Sequence, residues 1–523
     1  MRSESTWGGV RLMFLITILA PEMALAQLGP RAPAASTSTA TQLPLSGRSA
    51  SSGSVATTQT PIPGATTSVN TINTTIQVSG TYAGSSPSVP AMPFSGKLSF
   101  NDAIQRGLKF NLGATGQATA ALQARGQSKV SRSNLLPNLT GAFSEHYLTT
   151  DLATTGIQGA IQSAVGNRIP IHLPTVVGPI QYYDLRVTLT QNLLDLTLLN
   201  NYRSARDVVR ANEASMDDAR DTVVLAVGAS YLQVIAAKAR VASERAQLET
   251  AEAVYKQTAE RHATGLAAQL DLNQDLVRAQ TERQRLTTME NDLARQKINL
   301  ARLTGLPPND KYDISDDIEY SPPPPLSVDE AVQQALAARP DLQAAEAQLK
   351  AAERTRAAAR SERLPSLSAS ADYGEIGLHF NQGRDTYTVT GTLNIPIWQG
   401  GRVGGDVAQA EAALRQRRAE LADTRGRIES DVRNAYLDLE AAASQVELAK
   451  NNRGVTQQNM RLTQEKFETG VSDSVEVSQA QQAVASADLD YITALFAHNL
   501  AKLNLARALG GAEGRLKAYL VAK

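Results

Sequence analysis

The chain contains no cysteine. Disulfides, thiolate metal sites, thiol catalysis and a lipidated N-terminal cysteine are therefore excluded. Aromatic residues are 5% of the 523 positions, too few for the large anchors of a thick globular core. Neither charge is in surplus, with 51 Lys and Arg against 51 Asp and Glu. This argues against a nucleic-acid partner, which needs a basic excess. Histidines at 146, 172, 262, 379 and 498 fall at no metal-ligand spacing. No H-E-x-x-H, G-x-S-x-G or P-loop motif occurs. Gly400-Gly401-Arg402-Val403-Gly404-Gly405 is glycine-rich but is not G-x-G-x-x-G, and it reads as a flexible bend. Carboxylates are abundant, yet no pair stands out as an acid and base. The expectation is a protein that is not an enzyme and has no catalytic residue, cofactor or metal.

Long apolar runs are also scarce. Leu12 to Ala20 is a nine-residue run, preceded by Arg2 and Arg11 and followed by Ala24-Leu25-Ala26. Nine residues are too short to span ~30 Å of hydrocarbon, so 1–26 reads as a secretory signal peptide. No other stretch is expected to reach the length of a spanning helix. Any membrane-spanning part must then be a β-barrel. Residues 27–96 are Ser, Thr, Pro, Ala and Gly, with Arg31 and Arg48 the only charges. Such a segment buries too little apolar surface to offset its ordering entropy, and a disordered lead is expected.

What the sequence does have is duplication. L-S-F-N-D-A-I-Q-R-G-L at 98–108 matches L-S-V-D-E-A-V-Q-Q-A-L at 326–336 in five of eleven positions. At the same offset of 228, Leu136-Pro137 falls on Leu364-Pro365. The offset drops to 204 at Thr188 and Thr392, and is 205 where Thr264-Gly265 meets Thr469-Gly470. The first copy therefore carries 24 extra residues, in the loop around 149–181. The repeats are placed at 97–305 and 327–510, with a proline-rich linker at 306–326 and a tail at 511–523.

Each repeat reads as helix, strand, strand, long helix, tight turn, helix. The first helix is expected at 99–134 and again at 327–362, ending at the Leu-Pro pair. Strands are expected at 139–147, 183–190, 367–373 and 387–397. There apolar residues such as Leu185, Val187 and Leu189 alternate with polar ones such as Arg186 and Thr188. The alternation alone suits a soluble sheet on a core as well as a barrel strand facing lipid. The signal peptide and the neighbouring helices favour the barrel. Proline-free helices are expected over 203–260 and 406–466. Val227, Val234, Val241, Leu248 and Tyr255 recur every seven residues, as do Leu272, Ala279, Leu286, Leu293 and Leu300. Val477, Val484, Tyr491, His498 and Leu505 repeat the pattern, which makes coiled-coil seams. The fold class is mainly α: long helical hairpins plus four strands per chain. Four strands cannot close a barrel, for which about eight are the minimum, so chains must combine.

Over roughly 98–510 the sequence resembles the TolC family of outer-membrane efflux proteins. The resemblance rests on the duplication, the Leu-Pro box, Ile395-Pro396-Ile397-Trp398-Gln399-Gly400-Gly401, and two helical tips. The tips are Arg261-His262-Ala263-Thr264-Gly265-Leu266 and Lys466-Phe467-Glu468-Thr469-Gly470-Val471. The resemblance implies a homotrimer with a twelve-stranded barrel in outer-membrane lipid and a periplasmic α-barrel. It implies a passive exit duct of a tripartite efflux or type I secretion system. The partners would be a periplasmic adaptor (a membrane fusion protein) and an inner-membrane pump of RND, ABC or MFS type. The 306–326 linker would lie in an equatorial collar. The family's acidic periplasmic gate maps onto Glu476 and onto Gln479, which is not acidic. Its basic lock maps onto Ser472, and Asp271 holds the acidic position of the first repeat. Glu476 and Asp271 also suit helix caps, a compatible reading. Arg261, Gly265, Leu266, Lys466, Gly470 and Val471 are the expected adaptor contacts. The alternative is a soluble periplasmic coiled-coil scaffold or adaptor whose strands pack on protein.

Overall fold

The structure is a computed structural model that describes residues 54–61, 72–86, 96–151, 154, 175–308, 311–316, 320–322, 326–469, 471 and 474–514. The expected signal peptide, most of the 149–181 loop, Gly470 and Ser472 lie outside the described residues.

The described part of the lead is structured, where composition predicts disorder. Strands β1 (Val55–Pro61) and β2 (Ile72–Val78) form an antiparallel hairpin, and a 3-10 turn follows at Gly80–Ala83. Its few apolar side chains are used fully: Val55, Ile76, Val78 and Tyr82 pack against the main core. The Tyr82 carbonyl accepts a hydrogen bond from Asn111 Nδ2 at 2.8 Å. The Tyr82 ring occupies the space a side chain would need at Gly113, 2.3 Å from where a Cβ would stand.

The first repeat runs through β3 (Gly96–Leu98), α1 (Phe100–Phe110), α2 (Leu112–Ser133), β4 (Asn138–Asp151), β5 (Val176–Leu194), α3 (Leu196–Ala263) and α4 (Gln269–Thr304). β6 (Tyr312–Ile314) lies in the linker. The second repeat is α5 (Val328–Ala338), α6 (Pro340–Ser361), β7 (Ser366–Gly377), β8 (Arg384–Asn394), α7 (Arg402–Glu468) and α8 (Ser474–Ala508). The single helices expected at 99–134 and 327–362 are each two helices. The breaks fall at Asn111 and Arg339, equivalent positions in the two copies. Asn111 is extended (φ −63°, ψ 134°), and its side chain caps α2 by accepting from Gly113 N at 2.9 Å. Arg339 (φ −65°, ψ 126°) is held out of the helical region by Pro340, the first residue of α6. Its buried guanidinium pairs with Asp341 at 2.8 Å and Asp431 at 3.0 Å.

β4, β5, β7 and β8 form one antiparallel sheet in that order, and the β5–β7 pair joins the two repeats. The strands outrun the alternation at most ends, with 19 residues in β5. β8 stops short, at Asn394, so Ile395 to Ile397 are not strand. α3 has 68 residues and α7 has 67, or roughly 100 Å each. α3 packs on α2 and α6, and then on α4 and α8. Its seam is buried at Val227, Val234 and Val241, and between them at Ser230, Ala237, Glu244, Ala251 and Thr258. Leu248 and Tyr255 are half-buried.

One expectation about apolar runs is corrected here. α3 holds a window long and apolar enough to cross a membrane, but 83% of it is buried inside the protein. The segment around Val223 to Ala236 is the centre of the largest core cluster. Its Tyr231 hydroxyl lies 2.9 Å from both Leu98 O and Asp316 Oδ2. The Phe100 ring meets Tyr231 edge-on at 5.3 Å, and Phe100 N donates to Asp316 at 2.7 Å. β3 and β6 pair in parallel beside them. The linker is thus fixed to the start of the first repeat at mid-height on α3. The end of the second repeat is fixed there too, because Asp221 accepts from Gly511 N at 2.9 Å and Ala512 N at 2.8 Å.

Candidate functional site

Two regions carry chemistry that the core does not explain: the sheet at one end of the long helices and the turns at the other. The sheet register sorts its side chains into two faces. Leu139, Leu189, Ala371 and Val389 stand in one row across the four strands, and Gly141, Val187, Tyr373 and Tyr387 in the next. Much of this apolar face is exposed, Val389 to 76%, although Phe380 between β7 and β8 stacks on Phe143 and Tyr183 near the loop end. Trp398, 87% exposed, follows at the helix end of β8. The opposite face is small and polar. Its β8 row reads Thr386, Thr388, Thr390, Thr392 and Asn394, and its β7 row includes Ser368, Ser370 and Asp372. Arg186 lies across Gly374 on this face. It pairs with Asp372, with Asp184 at 3.2 Å, and with Thr386 Oγ1 at 3.4 Å. Glu145, opposite Tyr183 on the apolar side, sits at the loop end of the sheet and accepts from Tyr147 at 3.2 Å and from Gln181. Glu375 accepts from Tyr183 at 2.7 Å near the same end.

At the far end, α3 turns into α4 through Gly265, whose φ of 77° suits a residue without a Cβ. Leu266 N returns to Arg261 O at 2.8 Å and Gly265 N to His262 O at 2.9 Å, closing the helix end. Val471 N returns to Lys466 O at 2.9 Å in the same way in the second repeat. Both tips leave an apolar side chain in solvent, Leu266 at 80% and Val471 at 78% exposure. Arg261 bridges the two hairpins. Its guanidinium lies 4.5 Å over the Phe467 ring, and Nη2 donates to Phe467 O at 3.3 Å. One turn further in, Arg278 Nη2 donates to Ser478 O at 2.8 Å, and Thr258 Oγ1 donates to Asp275 Oδ2 at 2.6 Å. Burial raises the Asp275 carboxyl above the ordinary carboxylate range.

A model of the outer membrane efflux protein family matches residues 116–306 and 331–511. The chain belongs to the outer membrane efflux protein family. Among its relatives, the pyoverdine export outer membrane protein OpmQ of Pseudomonas putida is 27% identical over 327 residues, covering 59% of this chain and 67% of that protein. Outer membrane protein OprJ of Pseudomonas aeruginosa is 26% identical over 411 residues, covering 75% and 80%. The Campylobacter jejuni CmeC outer membrane channel shares the fold, with a TM-score of 0.67 at 18% identity, over 80% of this chain and 89% of that one.

An outer-membrane efflux channel has a use for both faces of the sheet. In such a channel the exposed apolar rows suit a membrane-facing side, and the polar face suits a duct lining. The family does not favour the soluble scaffold reading, which needed those apolar rows to pack on protein. The protein resides in the outer membrane, with its helical hairpins in the periplasm. Of the gate residues, Asp271 caps α4, with Oδ2 accepting from Ala268 N at 3.4 Å. Glu476 and Gln479 are exposed in the first turns of α8. Asp271 and Glu476 hold the same position in the two repeats, and so do Arg261 and Lys466. The structure joins Arg261 to Phe467, a contact the sequence reading did not include. Arg278, Thr258 and Asp275 were also missed. Asp275 and Thr258 occupy coiled-coil seam positions, and a polar residue in a seam was the available signal. Among the described residues no cluster of His, Asp and Glu could hold a metal ion.

Proposed function

We propose that three copies of the chain close a twelve-stranded barrel and a helical tunnel, forming a passive exit duct for small solutes. The observation that carries this reading is the four-stranded sheet. Its outer edges, β4 and β8, have no strand partner among the described residues, and most of its apolar face is exposed. Unpaired backbone groups in hydrocarbon cost several kcal/mol each, so the edges must meet those of other copies. Exposed apolar residues at heptad spacing support helix pairing between copies: Leu448, Val455 and Leu462 on α7, and Leu270 and Val277 on α4. The duct does no chemistry of its own. Its lining is Thr and Ser with one ion cluster, which suits varied polar cargo. The family and the pyoverdine export role in OpmQ's name support an efflux role, for which a periplasmic adaptor and an inner-membrane pump are the partners we propose.

The gate lies at the periplasmic tips. Glu476 and Asp271 from three chains would ring a narrow opening, attract cations and repel one another when closed. The Arg261–Phe467 stitch takes the place of the lock expected at Ser472, holding the second hairpin against the first. Leu266 and Val471, with Arg261, Gly265, Lys466 and Gly470 beside them, form the adaptor-contact surface. The test is the protein mass of the detergent-extracted full chain by light scattering, after membrane separation. Three chains per particle from the outer-membrane fraction is the expected result. A monomer soluble without detergent would sink the proposal.

A further inference from the structure

The interior of the tip half of the coiled coil contains a carboxylate that the channel reading does not use. Glu244 stands on the α3 seam three residues after Val241, and it is 4% exposed. Its Oε1 is buried and accepts no hydrogen bond, and no ion pair reaches it among the described residues. Glu282 stands on the α4 seam three residues after Ala279, and it is also buried. Glu282 borders a cavity of about 210 Å³ that Gln247, Arg278, Arg285 and Gln481 also line. α4 contributes Arg285, paired with Glu282 at 3.1 Å, and Arg278. α8 contributes Gln481 and Asp488. Asp488 is reached from α3 by Ser243 Oγ at 3.4 Å and held from α7 by Arg453 at 2.6 Å. With Glu282 already matched by Arg285, Glu244 is left as an unpaired charge. Two guanidiniums at the same cavity disfavour a metal cation there. A proton is the ligand that fits.

We propose that Glu244 holds a proton, shared with Glu282, while α3, α4 and α8 are packed together, and that separating the hairpins releases it. Alkaline conditions then favour the separated tip half and acidic conditions the packed one. Burial first, and then the Glu282 carboxyl, push Glu244 up to about 7. A hydrated glutamate titrates at ~4.3. The packed form therefore binds more protons between those values. Separation becomes easier by up to about tenfold per pH unit per chain as pH rises through that window. Below ~4 both forms are protonated, above about 7 both are ionised, and the dependence vanishes at each end.

This inference rests on the tip hairpins moving apart as proposed above, but its test reads that motion without using assembly or conductance. Hydrogen exchange of the detergent-solubilised full chain, corrected for intrinsic rates, is followed across α3 residues 240–256 between pH 5 and 8. Protection should fall with rising pH by tenfold or more in the native protein. In Glu244→Gln it should become flat and in Glu282→Gln shallower, while Glu249→Gln, an exposed carboxylate nearby, should keep the native slope. A flat native profile, or a native slope retained in E244Q, would overturn the proposal. The native profile decides even if a variant folds poorly, and a trimer mass with a flat profile would remove this inference alone.

Discussion

Arg261→Ala should loosen the periplasmic tips by an amount that can be worked out from its two contacts. The guanidinium over the Phe467 ring at 4.5 Å contributes about 0.5–1 kcal/mol at a partly exposed site. The hydrogen bond to Phe467 O is long at 3.3 Å and contributes about 0.5–1 kcal/mol. Together they stabilise the joined hairpins by about 1–2 kcal/mol per chain, a factor of roughly five to thirty in the ratio of joined to separated tips. Three such stitches in a trimer, if independent, add to about 3–6 kcal/mol when all must yield together. Single-channel recording of the full chain in planar bilayers reads the outcome as open-state occupancy, which should rise steeply in R261A. Arg261→Lys keeps the charge but loses the planar fork and much of the ring contact, so it should fall between the two. Native occupancy in R261A, in a protein that still assembles, would refute the reasoning.

Two further substitutions probe the ends of the molecule. Gly265→Val should destabilise the first tip by about 1–2 kcal/mol through its left-handed backbone alone, since nothing lies within 4 Å of the added Cβ. Faster proteolysis or exchange at 262–268 would report it, and Gly265→Asn should be milder. Arg186→Leu leaves Asp184 and Asp372 side by side without their cation. It should lower the temperature at which the assembly dissociates on a gel, by an amount matching about 1–3 kcal/mol. Adding Asp184→Asn and Asp372→Asn should restore much of it, and a native transition in R186L alone would show that the cluster contributes nothing.

The sequence carried the architecture because duplication and periodicity are repeated signals. Val227 to Tyr255 marks one seam five times, and the Leu-Pro boxes mark both strand starts. Single-residue events were harder to read. The breaks at Asn111 and Arg339 had local causes in view, an Asn able to cap and an Arg before proline, yet the amphipathic pattern ran through them. The strands extend to Val176 and Gly377 because ladder hydrogen bonds continue where alternation has stopped. The hairpin at 55–78 uses so few apolar residues that composition averaged them away. The apolar window of α3 was visible in the sequence but is filled by collar packing, which only the fold reveals. Arg261 and Phe467 are 206 positions apart in different repeats, and no spacing rule connects them.

That last contact also shows where the two repeats have diverged. At an offset of 205, Arg261 matches Lys466 and His262 matches Phe467. A symmetric pair of stitches would set Lys466 over His262. Instead His262 Nδ1 turns back to Ala267 O at 2.9 Å within its own tip. Further along, the copies agree again: Gln274 and Gln479 are the same residue in both. The two hairpins are therefore alike along the seam and unlike at the turn. A strictly repeated tip would bind both hairpins equally and give neither a reason to move first. One hairpin that donates a cation and another that offers a ring make a joint with a defined breaking point. On the proposed gating, breaking that joint would free the second hairpin, which carries Glu476, from the first.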